Sequence, residues 1–182
     1  MRSDDEAVLV QRVASGDREA FRTLVETHQR PLSAYARRMM NDVDSADDIV
    51  QEAFLRLWTR ARSYNPQAAR LTTWLHNIAH NLCIDSFRKN SRMTSVALDA
   101  VDALSVEGPE YERQSAERSA AVRSALAGLP ERQRSALLMC HYQGLSNREA
   151  AHILDVSVDA LESLLARARR RLKQELEPND GK

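Results

Sequence analysis

The chain has 182 residues, enough for one ordinary domain or two small ones, and only five glycines and five prolines interrupt a composition that favours helix. It contains no apolar run near the roughly 20 residues of a membrane span, and the N-terminal sequence MRSDDEAVLV lacks the features of a signal peptide. We therefore expect a cytoplasmic all-α protein without membrane insertion, made of two small helical domains joined by a flexible linker.

The first domain is predicted over residues 5–90. Its first helix is expected near residues 5–14 and is ended by Ser15-Gly16-Asp17. The helix that follows contains Pro31. Because proline lacks a backbone N–H, we expect Pro31 to mark a break or the first turn of a new helix.

Two further helices complete this domain. Ser45 is the predicted cap of a helix that begins ADDIVQEAFLRLW and carries an apolar stripe at helical spacing. A loop around Asn65-Pro66 follows. The last helix is predicted over about residues 71–88, with Thr72 or Thr73 near its cap.

His76, His80 and Cys83 share one face of this last helix, at steps of four and three residues. Metal ligation is therefore geometrically conceivable, as is a redox role. Because no fourth ligand is in view, ordinary core residues are the preferred interpretation, and we predict neither a metal nor a cofactor. Cys83 and Cys140 each lie among apolar residues, which is typical of reduced thiols.

Residues 91–115 interrupt the helical pattern with Gly108-Pro109, scattered acids and only short apolar pieces. More than about 20 unstructured residues are uncommon inside one compact domain, so we interpret this stretch as a linker. It is acidic. Residues 1–90 carry 13 basic and 12 acidic groups, the linker 2 and 5, and residues 116–182 carry 11 and 9, so that the net charge of zero conceals an acidic middle.

Residues 116–176 form the predicted second domain, with helices up to about residue 127 and from about 131 to 142. The following residues spell a helix-turn-helix. Ser146 and Glu149 have the spacing of a capping box for its first helix. Asp155 occupies the turn, because aspartate tolerates left-handed backbone, and Ser157 can cap the second helix.

The second helix of this motif has one apolar and one polar side. Its polar side could enter a major groove. An amphipathic hairpin with a solvated basic face is the alternative interpretation. Proteins held to DNA mainly by counterion release are usually more basic than this chain, which suggests that a larger partner assists DNA binding.

Three segments, in this order, resemble the two conserved domains of the sigma-70 family: DSADDIVQEAFLRLW, LTTWLHNIAHNLCIDSFRK and LAGLPERQRSALLMCHYQGLSNREAAHILDVSVDALESLLARARRRL. The short form is similar to the extracytoplasmic-function sigma factors. The resemblance implies a dissociable subunit of bacterial RNA polymerase that selects promoters and helps to open them, for a stress or envelope-type regulon.

In the family, the acidic helix after the first loop docks on a coiled coil of the largest polymerase subunit. An acid-and-amide row beside exposed aromatic area suits a basic partner helix, although a solvated helix face is the alternative. The residues that match the docking helix are Asp47, Asp48, Gln51, Glu52, Phe54, Leu55 and Trp58.

The second segment resembles the element that captures the non-template strand of the −10 promoter region. Aromatic faces can stack unpaired bases, and a base flipped into the loop after the docking helix would favour opening without ATP. Trp74 could equally be a core residue. The residues implied in this role are Arg62, Ser63, Tyr64, Asn65, Trp74, Asn77, His80, Asn81, Asp85, Arg88 and Lys89.

The helix-turn-helix would bind the −35 element. The residues implied are Arg148, Ser157, Asp159, Ala160, Ser163, Arg167, Arg169, Arg170 and Arg171. Family members often have Thr-Val-Lys-Ser-Arg where this chain has Ala160-Leu161-Glu162-Ser163-Leu164, so two basic contacts are missing. Glu162 would repel phosphate but could accept a hydrogen bond from a cytosine amino group.

The sequence therefore predicts a non-enzymatic sigma factor whose partners are core RNA polymerase and promoter DNA, as duplex at −35 and single strand at −10. An anti-sigma factor is a further expectation from the family. No clustered nucleophile, base and orienting acid indicates catalysis. The alternatives are a stand-alone helix-turn-helix regulator and an interaction protein that mimics a sigma factor.

Overall fold

The computed structural model describes residues 3–93 and 120–177. The N-terminal half contains α1 (Ser3–Ala14), α2 (Arg18–Met40), α3 (Val43–Arg60), a 3-10 turn (Ala61–Ser63) and α4 (Leu71–Met93). The C-terminal half contains α5, described over residues 120–127, then α6 (Glu131–Leu137), a π-helical turn (Leu138–Tyr142), α7 (Asn147–Ile153) and α8 (Val158–Leu176). Every regular element in these ranges is helical, which confirms the predicted all-α class.

The predicted linker lies mostly outside the described residues. Of residues 91–115, only 91–93 are described, and they belong to α4, which continues five residues beyond its predicted end at 88. Residues 116–119, the predicted start of the second domain, also lie outside the described ranges. Within the described ranges, no helix is both long and apolar enough to span a membrane.

The break predicted at Pro31 is wrong, because α2 continues through it from Arg18 to Met40. Asp17 caps the start of α2, where its Oδ1 accepts hydrogen bonds from the backbone N–H of Glu19 at 2.9 Å and of Ala20 at 3.1 Å. Buried residues lie on both sides of the proline, from Ala20 to Met39. Their packing outweighs the single backbone hydrogen bond that Pro31 cannot donate.

The predicted cap of α3 is also wrong. Asp42, and not Ser45, is the cap, and its Oδ2 accepts a 2.8 Å hydrogen bond from the backbone N–H of Ser45. A carboxylate at this position both accepts the N–H and interacts favourably with the positive end of the helix dipole. The helix therefore begins one turn earlier than the sequence pattern indicates, and Ser45 lies within its first turn.

The helix-turn-helix is built as its sequence predicts. Ser146 and Glu149 form the complete capping box of α7, and Ser157 Oγ accepts a 3.1 Å hydrogen bond from Ala160 N at the start of α8. Asp155 adopts the left-handed conformation at φ 51°. The apolar side of α8 is buried through Leu161, Leu165 and Ala168.

The buried residues of the two halves form one continuous apolar cluster. α4 contacts α7 across the junction, and α2 contacts α6 and the π-helical turn. The two halves are therefore packed against each other, and α4 has one side toward the C-terminal half and another toward solvent.

Candidate nucleic-acid and protein interfaces

The outer face of α3 presents acids and amides around one exposed apolar side chain. Asp48 and Gln51 are exposed, and Leu55 is 53% exposed. Asp47 lies beside them but pairs with Arg37 of α2 at 3.1 Å, and Glu52 pairs with Arg56 at 2.8 Å. This surface offers an apolar contact bordered by negative charge, which suits a partner helix that carries basic residues.

The two aromatic residues of the predicted docking set differ from the rest. Phe54 is only 7% exposed and belongs to the core. Trp58 is half-buried, with its ring edge-on to Phe21 at a centroid distance of 5.2 Å. Leu55 is therefore the most exposed apolar residue of the predicted docking set.

The loop between α3 and α4 packs against α4 through a pair of aromatic rings. The rings of Tyr64 and Trp74 lie 5.7 Å apart and are inclined by 62°. Both are half-buried, and burial raises the pKa of Tyr64. The exposed Asn65 is held locally, because its Oδ1 accepts a 3.0 Å hydrogen bond from Gln67 N. The pair leaves part of each aromatic surface available for stacking.

Two neighbouring loop residues are exposed but tethered. Arg62 Nε donates to the carbonyl of Ala14 at 3.3 Å, and Ser63 Oγ donates to the carbonyl of Arg60 at 2.8 Å. These hydrogen bonds give the loop a defined shape.

The outer side of α4 carries most of the predicted −10 residues, which follow one another at steps of three and four. Asn81 Nδ2 donates to Asn77 Oδ1 at 3.0 Å, and Asp85 pairs with Arg88 at 3.7 Å. The stripe contains Trp74, Asn77, Asn81, Asp85 and Arg88, and the exposed Lys89 adjoins its end. An aromatic residue, two amides, one carboxylate and two cations thus follow one another along one side of the helix.

The inner side of α4 carries Thr73, His76, His80 and Cys83, all buried. His80 was among the predicted −10 residues, yet it is only 6% exposed. Its Nδ1 lies 3.1 Å from the hydroxyl of Tyr35 and 3.4 Å from Ser135 Oγ in α6. The structure therefore places His80 at the junction of the two halves and away from the outer stripe.

Burial governs the ionisation of this inner side. It lowers the pKa of His80 to about 4 and raises the pKa of Cys83 to about 12, so the imidazole is neutral and the thiol protonated near neutral pH. His76 Nδ1 donates to the carbonyl of Thr72 at 2.8 Å. Over residues 3–93 and 120–177, no group of three or more His, Cys, Asp or Glu side chains is placed to hold a metal ion.

The polar side of α8 is exposed, as the sequence predicts. Ser163 Oγ donates back to the carbonyl of Asp159 at 3.0 Å, and Ala160 is half-buried. Glu162 Oε1 accepts a 3.3 Å hydrogen bond from Asn147 Nδ2 at the start of α7. The exposed residues of the predicted −35 set on this helix are Ser157, Asp159, Ser163, Arg167, Arg169, Arg170 and Arg171.

The arginines of α8 point to two regions. Arg167, Arg170 and Arg171 line an open groove of about 450 Å³ together with Gln133 of α6. Arg169 instead lies against His141, with its Nη2 3.0 Å from His141 Nε2. Glu175 also lines the groove, but the three arginines outnumber this one carboxylate, so the groove suits phosphate. Arg148 is exposed separately on α7.

The sequence pattern missed the residues that join the halves. Arg134 Nη1 donates to the carbonyl of Met39 at 2.6 Å, and Thr73 Oγ1 donates to Glu149 Oε1 at 2.6 Å. Burial by itself would raise the pKa of Glu149, but hydrogen bonds from Thr73 and Ser146 outweigh it and lower that pKa. Nothing in the sequence signals contacts between residues 76 or 95 positions apart.

The described surface thus carries an exposed helix-turn-helix, an acidic face on α3 and an aromatic and amide stripe on α4. The Sigma-70 region 2 family matches residues 24–93 of the chain, and the Sigma-70 region 4 family matches residues 119–172. A relative from Mycobacterium tuberculosis, the ECF RNA polymerase sigma factor SigM, is 36% identical over 94% of this chain and 83% of its own length.

Two solved structures have a similar fold. CnrH, in complex with the cytosolic domain of CnrY, is 28% identical, with a TM-score of 0.71 over 97% of this chain and 99% of that one. The sigma factor RpoE from Bartonella quintana, in complex with the anti-sigma factor NepR, is 24% identical, with a TM-score of 0.72 over 87% of this chain and 98% of that one. The chain belongs to the extracytoplasmic-function sigma factors of the sigma-70 family and directs promoter-specific transcription initiation.

Proposed function

We propose that this sigma factor works through three separate surfaces. The outer face of α3 binds core RNA polymerase, the outer stripe of α4 with the loop before it captures the −10 non-template strand, and α8 binds the −35 duplex. The observation that carries this assignment is the row of aromatic, amide and cationic side chains along α4, in a chain that also exposes a helix-turn-helix.

The α4 stripe has the chemistry of a single-strand site. Tyr64 and Trp74 supply aromatic surface on which an unpaired base can stack, a contact worth about 1–3 kcal/mol per base. Asn77 and Asn81 both donate and accept, so they can distinguish base edges that pairing would hide. Arg88 at the end of the stripe would meet phosphate. Binding that favours unpaired bases shifts the promoter toward its open form without ATP.

The α8 surface has the chemistry of a duplex site with modest affinity. Asp159, Ser163 and Arg167 lie on its exposed side, where they can reach base edges in the major groove. The groove arginines contact phosphates and fix the position of the helix. Glu162 opposes phosphate binding. This balance explains why the domain would depend on polymerase to hold it at the promoter.

The α3 surface is the proposed attachment to polymerase. Leu55 gives an apolar centre, and Asp48, Gln51 and Glu52 surround it with groups that a basic helix would pair with. An apolar centre contributes affinity, while the surrounding charges determine orientation and partner choice.

An anti-sigma factor is the proposed regulatory partner, since the related RpoE is bound to one. It would act by covering one or more of these three surfaces. The cytoplasm is the proposed location because core polymerase and promoter DNA are there. Sigma factors are not a class of enzymes, and we assign no catalytic step to the chain itself.

The test is to add the purified chain to core polymerase and a promoter library and to map transcription starts. We expect promoter-specific initiation absent from core polymerase alone. A folded chain that produces no such initiation would contradict the proposal. Specific duplex binding without polymerase, together with no initiation, would instead indicate a stand-alone regulator.

A further inference from the structure

Glu162 lies on the exposed side of α8, at the edge that meets the start of α7. Its backbone is fixed, because Leu161 and Leu165 on the same helix are buried. The side chain itself is exposed. A glutamate side chain in solvent has many accessible rotamers, and ordering it in a complex costs conformational entropy.

Asn147, the first residue of α7, holds this side chain. Its Nδ2 donates a hydrogen bond to Glu162 Oε1 at 3.3 Å. Asn147 is itself well placed to act as a fixed donor, because it is half-buried and the capping box of Ser146 and Glu149 defines the start of α7. One carboxylate oxygen of Glu162 is therefore directed toward α7.

The second oxygen of this carboxylate is available to a ligand. Over residues 3–93 and 120–177, Glu162 Oε2 has no hydrogen-bond partner, and an ionised carboxylate can only accept hydrogen bonds. In the major groove, the amino group of cytosine is the donor that a glutamate pairs with. Adenine also has an amino group there, but its N7 acceptor lies beside that group and repels a carboxylate.

The groups next to Glu162 on α8 also present acceptors. Ser163 Oγ donates its hydrogen to the carbonyl of Asp159 at 3.0 Å, so only its lone pairs remain for a ligand. Asp159 is a second exposed carboxylate, and the first cation of α8, Arg167, lies about 7 Å further along the helix axis than Glu162. This part of α8 therefore favours amino groups over the carbonyl oxygens of guanine and thymine.

We propose that Asn147 and Glu162 act as one unit that selects a cytosine in the −35 duplex. Glu162 contacts the amino group of the base, and Asn147 is a positioning residue that orients the carboxylate without touching DNA. The inference rests on the proposed function of α8 and adds a residue of α7 to it. A side chain that is held before binding loses less entropy in the complex, so Asn147 increases the preference for cytosine over the other bases.

Two substitutions of Asn147 test this role. Asn147→Ala removes the donor. Asn147→Asp keeps the shape but replaces the donor with a carboxylate that repels Glu162, and an acid in the first turn of α7 interacts favourably with the helix dipole, so this variant carries the test if Asn147→Ala loses helix content. His152→Ala is the matched control, because His152 is exposed on the same helix and takes no part in the hydrogen bond to Glu162.

The first measurement is selection from a promoter library randomised at the −35 element, by the full chain with core polymerase. We expect the wild type and the control to select cytosine at one position, and Glu162→Ala to lose this preference. Asn147→Ala should reduce the preference about threefold to tenfold at the same position, and Asn147→Asp should reduce it further. Contacts to phosphate carry no sequence information, so changes of charge do not account for a change in the ratio between bases.

The second measurement uses a double substitution. A residue that acts through Glu162 has no effect on base preference once Glu162 is removed. Asn147→Ala combined with Glu162→Ala should therefore select the same sequences as Glu162→Ala alone. A further change of preference in the double variant would show that Asn147 contacts DNA directly, and it would overturn the positioning role.

The third measurement removes the amino group from the DNA. A cytosine analogue without the exocyclic amino group replaces the selected cytosine, and binding of the polymerase complex is compared with that of Glu162→Ala, which reports the effect of weakened base pairing alone. We expect the wild type to lose at least about fivefold more affinity than Glu162→Ala does. Equal losses would overturn the contact between Glu162 and the amino group.

The outcomes separate this inference from the proposed function. A folded wild type that selects no −35 sequence with core polymerase would contradict the proposed role of α8, and the inference with it. A wild type that selects a −35 element without a cytosine that depends on Glu162 would overturn the inference alone. Folded Asn147 variants that select cytosine as strongly as the wild type would do the same and leave the proposed role of α8 standing.

Discussion

Thr73 of α4 donates a 2.6 Å hydrogen bond to Glu149 Oε1, while the other oxygen of the same carboxylate accepts from Ser146 N at 2.9 Å and caps α7. One carboxylate therefore joins the proposed −10 helix to the first helix of the helix-turn-helix. Its lowered pKa keeps it ionised near neutral pH, and hydrogen bonds to ionised groups are the stronger kind.

Thr73→Val should lower the free energy of unfolding by about 1.5 kcal/mol, since it removes a bond to a charged group and keeps the shape of the side chain. Urea denaturation measures the change. Thr59→Val is the control, because Thr59 is exposed and bonds only within its own helix, and it should change stability by less than about 0.5 kcal/mol. A Thr73→Val and Glu149→Ala double-mutant cycle with no coupling energy would show that the bond contributes nothing.

Acidification should destabilise the chain through its buried histidines. The pKa of His80 falls from 6.5 to about 4 on folding, so the unfolded chain takes up a proton first as the pH falls. Stability due to neutral His80 is therefore complete above pH 6.5 and is lost toward pH 4, by about 3 kcal/mol in total. Burial lowers the pKa of His28 and His76 as well, which adds to the loss with the same sign.

The contribution of His80 can be separated with His80→Asn, which keeps a hydrogen-bonding side chain but does not titrate. Unfolding free energies measured between pH 7 and pH 4.5 should fall less steeply in this variant than in the wild type. Identical slopes would mean that His80 takes up protons equally in the folded and the unfolded chain, contrary to the effect of its burial.

Local chemistry decided how much of this structure the sequence could predict. The helix-turn-helix was predictable because Ser146, Asp155 and Ser157 each act on backbone within a few residues. The break predicted at Pro31 was wrong because buried residues on both sides of the proline keep α2 continuous, and no local pattern shows that packing.

The side of α4 on which His80 lies was predictable in part. Its spacing from His76 and Cys83 places it on their buried face, whereas the adjacent Asn81 is exposed. The sequence could not show which distant groups cover His80, namely Tyr35 of its own half and Ser135 of the C-terminal half. The docking of two halves through Arg134 likewise depends on carbonyls distant in sequence.

Leu55→Asp should weaken binding to core polymerase at least about tenfold, because it puts a charge at the apolar centre of the proposed docking face. Leu55 is 53% exposed, so the free energy of unfolding should change by less than about 0.5 kcal/mol. Val8→Asp, at a residue 56% exposed on α1, is the control and should leave binding unchanged. Equal binding by both variants would show that the outer face of α3 does not contact core polymerase.

Trp74→Ala should impair strand opening more than binding to core polymerase, since the ring is proposed to stack a base of the −10 strand. Permanganate reactivity of −10 thymines measures opening, and native-gel titration measures assembly with core polymerase. Loss of packing on Tyr64 should also cost about 2 kcal/mol of stability. Trp74→Phe keeps an aromatic face and should retain most of the opening, whereas equal losses in opening and assembly would indicate a packing role.

Glu162→Gln should strengthen binding of the polymerase complex to −35 duplexes and broaden its base preference. The carboxylate repels phosphate wherever α8 lies on DNA, so its removal raises affinity for every sequence. It also replaces one of the two acceptor oxygens with an NH2 donor, while Asn147 can engage the oxygen that remains. The contact with the cytosine amino group, worth about 1–3 kcal/mol of discrimination, is then lost, and the preference for cytosine at one position should decline. Asn147 already donates to Glu162 Oε1, which leaves Oε2 for the base.

The control is Glu177→Gln, at the C-terminal end of α8. It removes the same charge far from Asp159, Ser163 and Arg167, the residues proposed to reach base edges. Selection from a randomised −35 library measures both effects. A variant whose selected sequences match those of the wild type would show that Glu162 does not contact a base.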